Sequence, residues 1–216
     1  MGMSEHKTLL AVPCLSMVHT KFFESFTNMV KRDCDSFTVL ENTLIYIARN
    51  VISSNAIDNG FERILWLDSD MTFPKDMILR LSEDMDNGCE LVTGLYFSRY
   101  PKIKPNAFTR LWWDQKEEDG DIDTGATHMF RYTEGMNQIE ACGMGCCMMT
   151  TDLIKRVGDK FGSPFTPIDG MGEDLSFCWR VNQLGVPMYC DTRIKCGHIG
   201  QMNYNEDFYK AQGIPE

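Results

Sequence analysis

The segment 61–75, FERILWLDSDMTFPK, constrains this chain more than any other part of it. An apolar run, Ile64-Leu65-Trp66-Leu67, stops directly in Asp68-Ser69-Asp70. Such a run without alternation reads as a buried strand, and both acids then stand at its carboxyl end. In open α/β sheets that end is where ligands bind. Two carboxylates held so close repel each other, so their joint ionisation calls for a cation. A hard divalent metal carrying a phosphate ester answers that need, because Mg²⁺ and Mn²⁺ prefer carboxylate and phosphate oxygens. The competing role is structural: Asp is common ahead of a helix, and Pro74 opens one here.

The rest of the first hundred residues alternates strands with helices. Residues 7–13, KTLLAVP, and 37–41, FTVLE, read as strands. Leu44, Ala48, Val51, Ile52 and Ala56 recur at helical spacing and predict a helix over 42–58. Asp58-Asn59-Gly60 makes a turn before the acidic strand. Met77, Ile78, Leu81 and Met85 line one face of a helix that Asn87-Gly88 closes. Residues 89–97 form another apolar strand. This order is the signature of a parallel sheet with crossover helices.

The second half is less regular. Short strands are expected at 106–109, 128–132 and 138–141, and the acidic, glycine-containing run 114–125 is expected as a surface loop. A buried helix falls near 150–157, followed by a loop over 161–171. A last helix from Glu173 buries Phe177, Cys178, Val181 and Leu184, and a short strand follows at 187–190. No repeat or linker divides the 216 residues, which suit one domain over 1–216.

The formal net charge of −10 argues against nucleic acid or an anionic membrane as the main partner. It also leaves an anionic substrate to be held by local cations or a metal. No stretch approaches the ~20 apolar residues of a membrane span. The first twelve residues lack a signal-peptide layout, and His6 occupies the position where myristoylation needs Ser or Thr. A cytoplasmic protein is the expectation. Nine cysteines form an odd set without paired C-x-x-C spacing, so neither a disulfide framework nor a zinc ribbon is readable. Reduced thiols used as small apolar core residues fit better, Cys142, Cys146 and Cys147 among them.

Three features join the D-x-D: Ala48-Arg49-Asn50 on the preceding helix, the acidic pair in Gly172-Glu173-Asp174-Leu175, and Gly197-His198-Ile199-Gly200 beyond the last strand. With the Gly143-Met144-Gly145 turn, their order resembles glycosyltransferases of the GT-A fold, particularly the large inverting family 2. The resemblance covers about residues 7–198. It implies an α/β fold with a mostly parallel twisted sheet flanked by helices, and transfer of a sugar from a UDP- or GDP-sugar to a hydroxyl acceptor such as a glycan.

The resemblance also implies roles. Asp70 is expected to ligate Mn²⁺ or Mg²⁺ on the donor diphosphate, with Asp68 facing the ribose or a metal-bound water and His198 as a further ligand. Pro13 and Cys14 would flank the base, Arg49 would lie near the nucleotide or diphosphate, and Ser69 belongs to the donor-binding triplet. Asp174 matches the general base of inverting members, with Glu173 beside it. Gly143, Gly145 and Trp112 are acceptor-side candidates.

The chemistry is consistent with those roles. A divalent ion stabilises charge on a departing diphosphate, and a carboxylate within hydrogen-bond reach accepts the proton of the attacking hydroxyl. Duller roles exist for each group: Glu173 and Asp174 suit any helix N-terminus, Arg49 any surface ion pair, His198 a structural position, and Trp112 plain packing. The chain lacks the Q-x-x-R-W signature of polymer synthases, and the second acidic pair also occurs in some retaining relatives.

The main rival is a haloacid-dehalogenase-like phosphatase with Asp68 as nucleophile. Against it, two strands and a helix precede the acidic strand, and no lysine motif separates the two acidic sites. A sugar-nucleotide pyrophosphorylase would need a glycine-rich phosphate loop where Pro13-Cys14-Leu15 stands. A non-catalytic sugar-nucleotide-binding module would keep the D-x-D without needing Asp174.

Overall fold

The computed structural model describes residues 6–99, 103–115 and 122–200. β1 (Thr8–Pro13) leads through α1 (Thr20–Asn28) to β2 (Ser36–Leu40), α2 (Ile45–Asp58) and β3 (Arg63–Leu67). β4 (Met71–Thr72), α3 (Met77–Asp86) and β5 (Leu91–Leu95) follow. Next come β6 (Ala107–Gln115), β7 (Ile122–His128), β8 (Met136–Ile139), β9 (Ala141–Cys142) and β10 (Cys146–Thr150). α4 (Thr151–Phe161), α5 (Glu173–Asn182), β11 (Met188–Lys195) and β12 (Gly197–His198) complete the order.

Among these residues the central sheet has seven strands, ordered β2-β1-β3-β10-β5-β11-β8. β2, β1, β3, β5 and β11 point one way, while β10 and β8 run against them. The sheet is mostly parallel and flanked by helices, as expected. Every residue of β1, β3 and β5 is buried, because both faces are covered. Side chains alternate between two cores. Ile64 and Trp66 join Leu9, Ala11, Cys147 and Met149 against α2, α4 and α5. Leu65 and Leu67 join Leu10, Val12 and Met148 against α1 and α3. The cysteines are free thiols, and Cys142, Cys146 and Cys147 are buried in packing roles. Among the described residues, no helix is long and apolar enough to cross a membrane.

Five local expectations are corrected. The sequence pattern assigns no strand to β10, yet this strand sits antiparallel between β3 and β5 at the centre of the sheet. Its Cys and Met residues carry little strand preference of their own, and two buried neighbours with open backbone edges override that. No element is read from residues 14–36, where the nine-residue α1 buries only Phe22. The run 114–125 is partly paired: β6 and β7 form an antiparallel hairpin with Trp112 opposite Gly125. A Cβ at Gly125 would come within 2.3 Å of the Trp112 ring, so glycine admits the indole across the strands. Residues 116–121 of that run lie outside the described residues. The strand expected at 128–132 stops at His128, and the one at 138–141 is divided between β8 and β9.

Met148 is fully buried in β10. Truncation to alanine there is expected to cost about 2–5 kcal/mol in urea unfolding, the range for core methionines and leucines. A loss below about 1 kcal/mol would mean that β10 is not the packed centre of the sheet.

Candidate active site

Because β1, β3, β5 and β11 share a direction, the segments that follow them meet at one edge of the sheet. Pro13 ends β1, the D-x-D follows β3, Phe97 and Arg99 follow β5, and His198 follows β11. The turn after β3 is fixed by its backbone. The Asp68 N–H donates to Gly145 O at 3.1 Å, and the Met71 N–H donates to Asp68 O at 3.1 Å. β12 then pairs antiparallel with β4, setting His198 opposite Met71. The Ile199 N–H donates to Asp70 O at 2.7 Å and closes that pairing.

This brings His198 onto Asp70. The imidazole Nδ1 lies 2.9 Å from Phe97 O, which only accepts, so Nδ1 carries a proton. Nε2 is left facing Asp70 Oδ1 at 3.6 Å. A ligating histidine is commonly oriented by such a carbonyl bond from its other nitrogen. The Asp70 carboxylate, as acceptor opposite Nε2, raises the imidazole pKa above its usual range. Burial works against ionised Asp70, but His198 and the Arg99 guanidinium outweigh it and hold the carboxyl below its usual range.

Arg49 lies at the other side of the triplet. Its side chain is 2% exposed and stacks over Trp66 at 5.1 Å from the ring centroid. Nη2 donates to Asp68 Oδ1 at 3.2 Å, and Nε lies 3.5 Å from Glu173 Oε1. Nε and Nη1 nevertheless have no hydrogen-bond partner. Buried donors without acceptors are costly and mark a position that strain, an ordered water or a bound group has to account for. Arg49, Asp68, Ser69, Asp70, Arg99 and Glu173 line one cavity of about 460 Å³, with Pro13 to Leu15 and Thr43 to Ile45 as its less polar wall.

Asp174 stands beside Glu173 in the first turn of α5, where its Oδ1 accepts the Leu175 N–H at 2.7 Å. It does not line the cavity itself. Burial and the neighbouring Glu173 push its carboxyl up to about 6, and the charges of Arg49 and Asp68 also reach it. Gly143 and Gly145, expected on the acceptor side, are buried. A Cβ at Gly143 would fall 2.3 Å from the Tyr96 hydroxyl, and that hydroxyl accepts the Gly145 N–H at 3.0 Å. Both glycines therefore admit Tyr96, whose ring meets His198 edge-on with centroids 5.8 Å apart. Trp112 lies on β6, donates through Nε1 to Asp123 Oδ1 at 3.2 Å, and is not part of the cavity wall.

Sequence reasoning missed Arg99 and Tyr96. The signal for both was positional: they follow or end a strand whose carboxyl end is on the binding edge. It also took the two acids to need an external cation. The protein supplies its own, with Arg49 on Asp68 and Arg99 Nη1 on Asp70 Oδ2 at 3.1 Å.

Among the described residues, no three His, Cys, Asp or Glu side chains gather into a metal-holding cluster. Asp70 and His198 form a two-residue pair. Such a pair suits Mg²⁺ or Mn²⁺, which commonly keep water and substrate phosphate oxygens in their remaining positions.

No family of known proteins and no curated sequence matches the chain. Solved structures do. GalNAc-T7, determined with UDP, GalNAc and Mn²⁺, superposes with a TM-score of 0.62 at 12% identity, over 92% of this chain. This chain spans 44% of that protein's length. A197 from STIV superposes with a TM-score of 0.64 at 13% identity, covering 90% of this chain and 86% of A197. At these identities the likeness shows the fold: an α/β architecture of the GT-A glycosyltransferase type.

Replacing Arg49 by methionine keeps the apolar stem on Trp66 and removes two unsatisfied donors. Unfolding stability is expected to change by less than about 1 kcal/mol, because the incompletely paired guanidinium is costly to bury and the carboxylates it leaves, with side chains 35% and 18% exposed, still reach water. A loss above about 3 kcal/mol would make Arg49 a structural ion pair.

Proposed function

We propose that the protein is a metal-dependent glycosyltransferase. It moves a sugar from a UDP- or GDP-sugar to a hydroxyl of an acceptor, with inversion. The observation that carries this reading is the single cavity at the strand ends. It joins Asp70, which His198 faces from outside the cavity wall, to a buried guanidinium with two unfilled donors. The Mn²⁺ and UDP bound by GalNAc-T7 support the ligand class.

Pro13 and the neighbouring loop residues flank the base, and Asp68 and Ser69 face the ribose side. Asp70 and His198 are the residues that hold Mn²⁺ or Mg²⁺, with Asp68 close by. When bound, the ion neutralises charge on the departing diphosphate. Arg49 donates to a phosphate oxygen through Nη1, which then loses its desolvation penalty. Asp174 takes the proton of the attacking hydroxyl. Its raised carboxyl suits the task, since a base nearer neutrality accepts a proton more readily. Glu173 keeps that carboxyl raised and anchors the Arg49 Nε.

The phosphatase alternative has less support. Asp68, its nucleophile, is tied to Arg49, and among the described residues no lysine lines the cavity.

Nucleoside diphosphates should raise the unfolding temperature only when Mn²⁺ is present, and Asp70→Ala should remove that metal requirement. Stabilisation by phosphate mimics but never by nucleotides would favour the phosphatase. Asp174→Asn should retain donor binding while turnover falls by roughly 10²–10⁴-fold. Unchanged turnover would remove Asp174 from the mechanism.

Turnover in the wild type should decline as pH falls through about 6, where Asp174 takes up its proton. The same shift has a stability sign. A carboxyl whose folded pKa is raised from 3.8 to about 6 favours the fold below that window, and this contribution is lost as pH rises through it. Asp174→Asn should therefore gain stability relative to wild type between about pH 4 and about pH 6. A pH-independent difference in unfolding free energy would contradict the raised carboxyl.

A further inference from the structure

Arg99 holds no role in the reading above, yet it contacts the acid at the centre of the site. Its Nη1 meets Asp70 Oδ2 at 3.1 Å, while His198 Nε2 faces the other oxygen at 3.6 Å. Both oxygens of Asp70 are therefore addressed by protein groups. The Arg99 stem passes Gly200, where a Cβ would come 2.9 Å from Arg99 Cδ, so the glycine leaves room for this path.

The two guanidiniums of the cavity differ in freedom. The Arg49 side chain is 2% exposed and pinned over Trp66, whereas that of Arg99 is 53% exposed. Arg99 is the cation able to move. A divalent ion on Asp70 would sit within a few ångströms of that guanidinium, and like charges at such range repel. A released arginine fork has an alternative partner in the same cavity, because it matches phosphate oxygens in geometry and charge.

We infer that Arg99 is the resting counter-ion of Asp70 and gates metal entry. A divalent cation engages Asp70 and His198 only as the guanidinium leaves Oδ2, and the freed guanidinium then holds the donor diphosphate. The second half rests on the nucleotide-sugar reading; the competition for Asp70 does not.

The test is a titration of the nucleotide-free full chain with Mn²⁺, following the electron paramagnetic resonance signal of the free ion. Wild type is compared with Arg99→Gln and with Arg131→Gln, which removes the same charge at an exposed position off the cavity wall. Arg99→Gln is expected to bind Mn²⁺ about tenfold more tightly than wild type, and Arg131→Gln equally to it. With Mn²⁺ saturating, UDP or GDP should bind Arg99→Gln about tenfold more weakly than wild type. Mn²⁺ binding that Asp70→Asn abolishes but Arg99→Gln leaves unchanged overturns the gate and keeps the metal site. Tighter binding in Arg131→Gln of the same size also overturns it, as bulk charge. Absence of Mn²⁺ binding in every variant, with or without nucleotide, overturns the gate together with the metal-dependent reading.

Discussion

A guanidinium sealed beneath two carboxylates organises this end of the molecule. Arg49 reaches from α2 across Trp66 to Asp68 after β3 and to Glu173 at the start of α5. One side chain thus ties together two acidic pairs that lie far apart in the chain. Its burial is expensive, and its pairing is incomplete: one hydrogen bond at 3.2 Å and two donors without acceptors. A fold selected for stability alone gains little from such an arrangement. A site built to receive an anion gains a preorganised donor that water does not screen.

The sheet gives that guanidinium its setting. Five strands of common direction deliver their carboxyl ends to one edge, and the small β4–β12 pairing folds His198 back onto Asp70. The antiparallel β10 enters from the same edge, and Gly145 there accepts the Asp68 N–H while donating to Tyr96. The D-x-D turn is therefore braced from beneath by β10 and from the side by Tyr96. Charge is balanced locally: each acid of the triplet meets a guanidinium, although the chain as a whole carries −10.

Much of this was legible in the sequence, for physical reasons. Strands buried on both faces read as continuous apolar runs, so β1, β3 and β5 stood out, and an acid at the end of such a run is conspicuous. α3 showed itself through apolar spacing; the pattern also marked α2, although Leu44 precedes that helix and Leu44 and Val51 are exposed. What escaped notice depends on partners distant in the chain. β10 is a strand because β3 and β5 flank it, and the hairpin of β6 and β7 forms because Gly125 admits Trp112. Arg49 and Glu173 were singled out separately, but no spacing rule reveals that they meet. Arg99 carries no motif, and its role follows only from where β5 ends.

The most direct test of the account is a crystal structure of the protein with Mn²⁺ and UDP, with the ion located by its anomalous scattering. The account predicts an anomalous peak between Asp70 and His198, the diphosphate against Arg49, and the uracil beside Pro13. Nucleotide bound outside this cavity, or a manganese peak held by neither Asp70 nor His198, would contradict it.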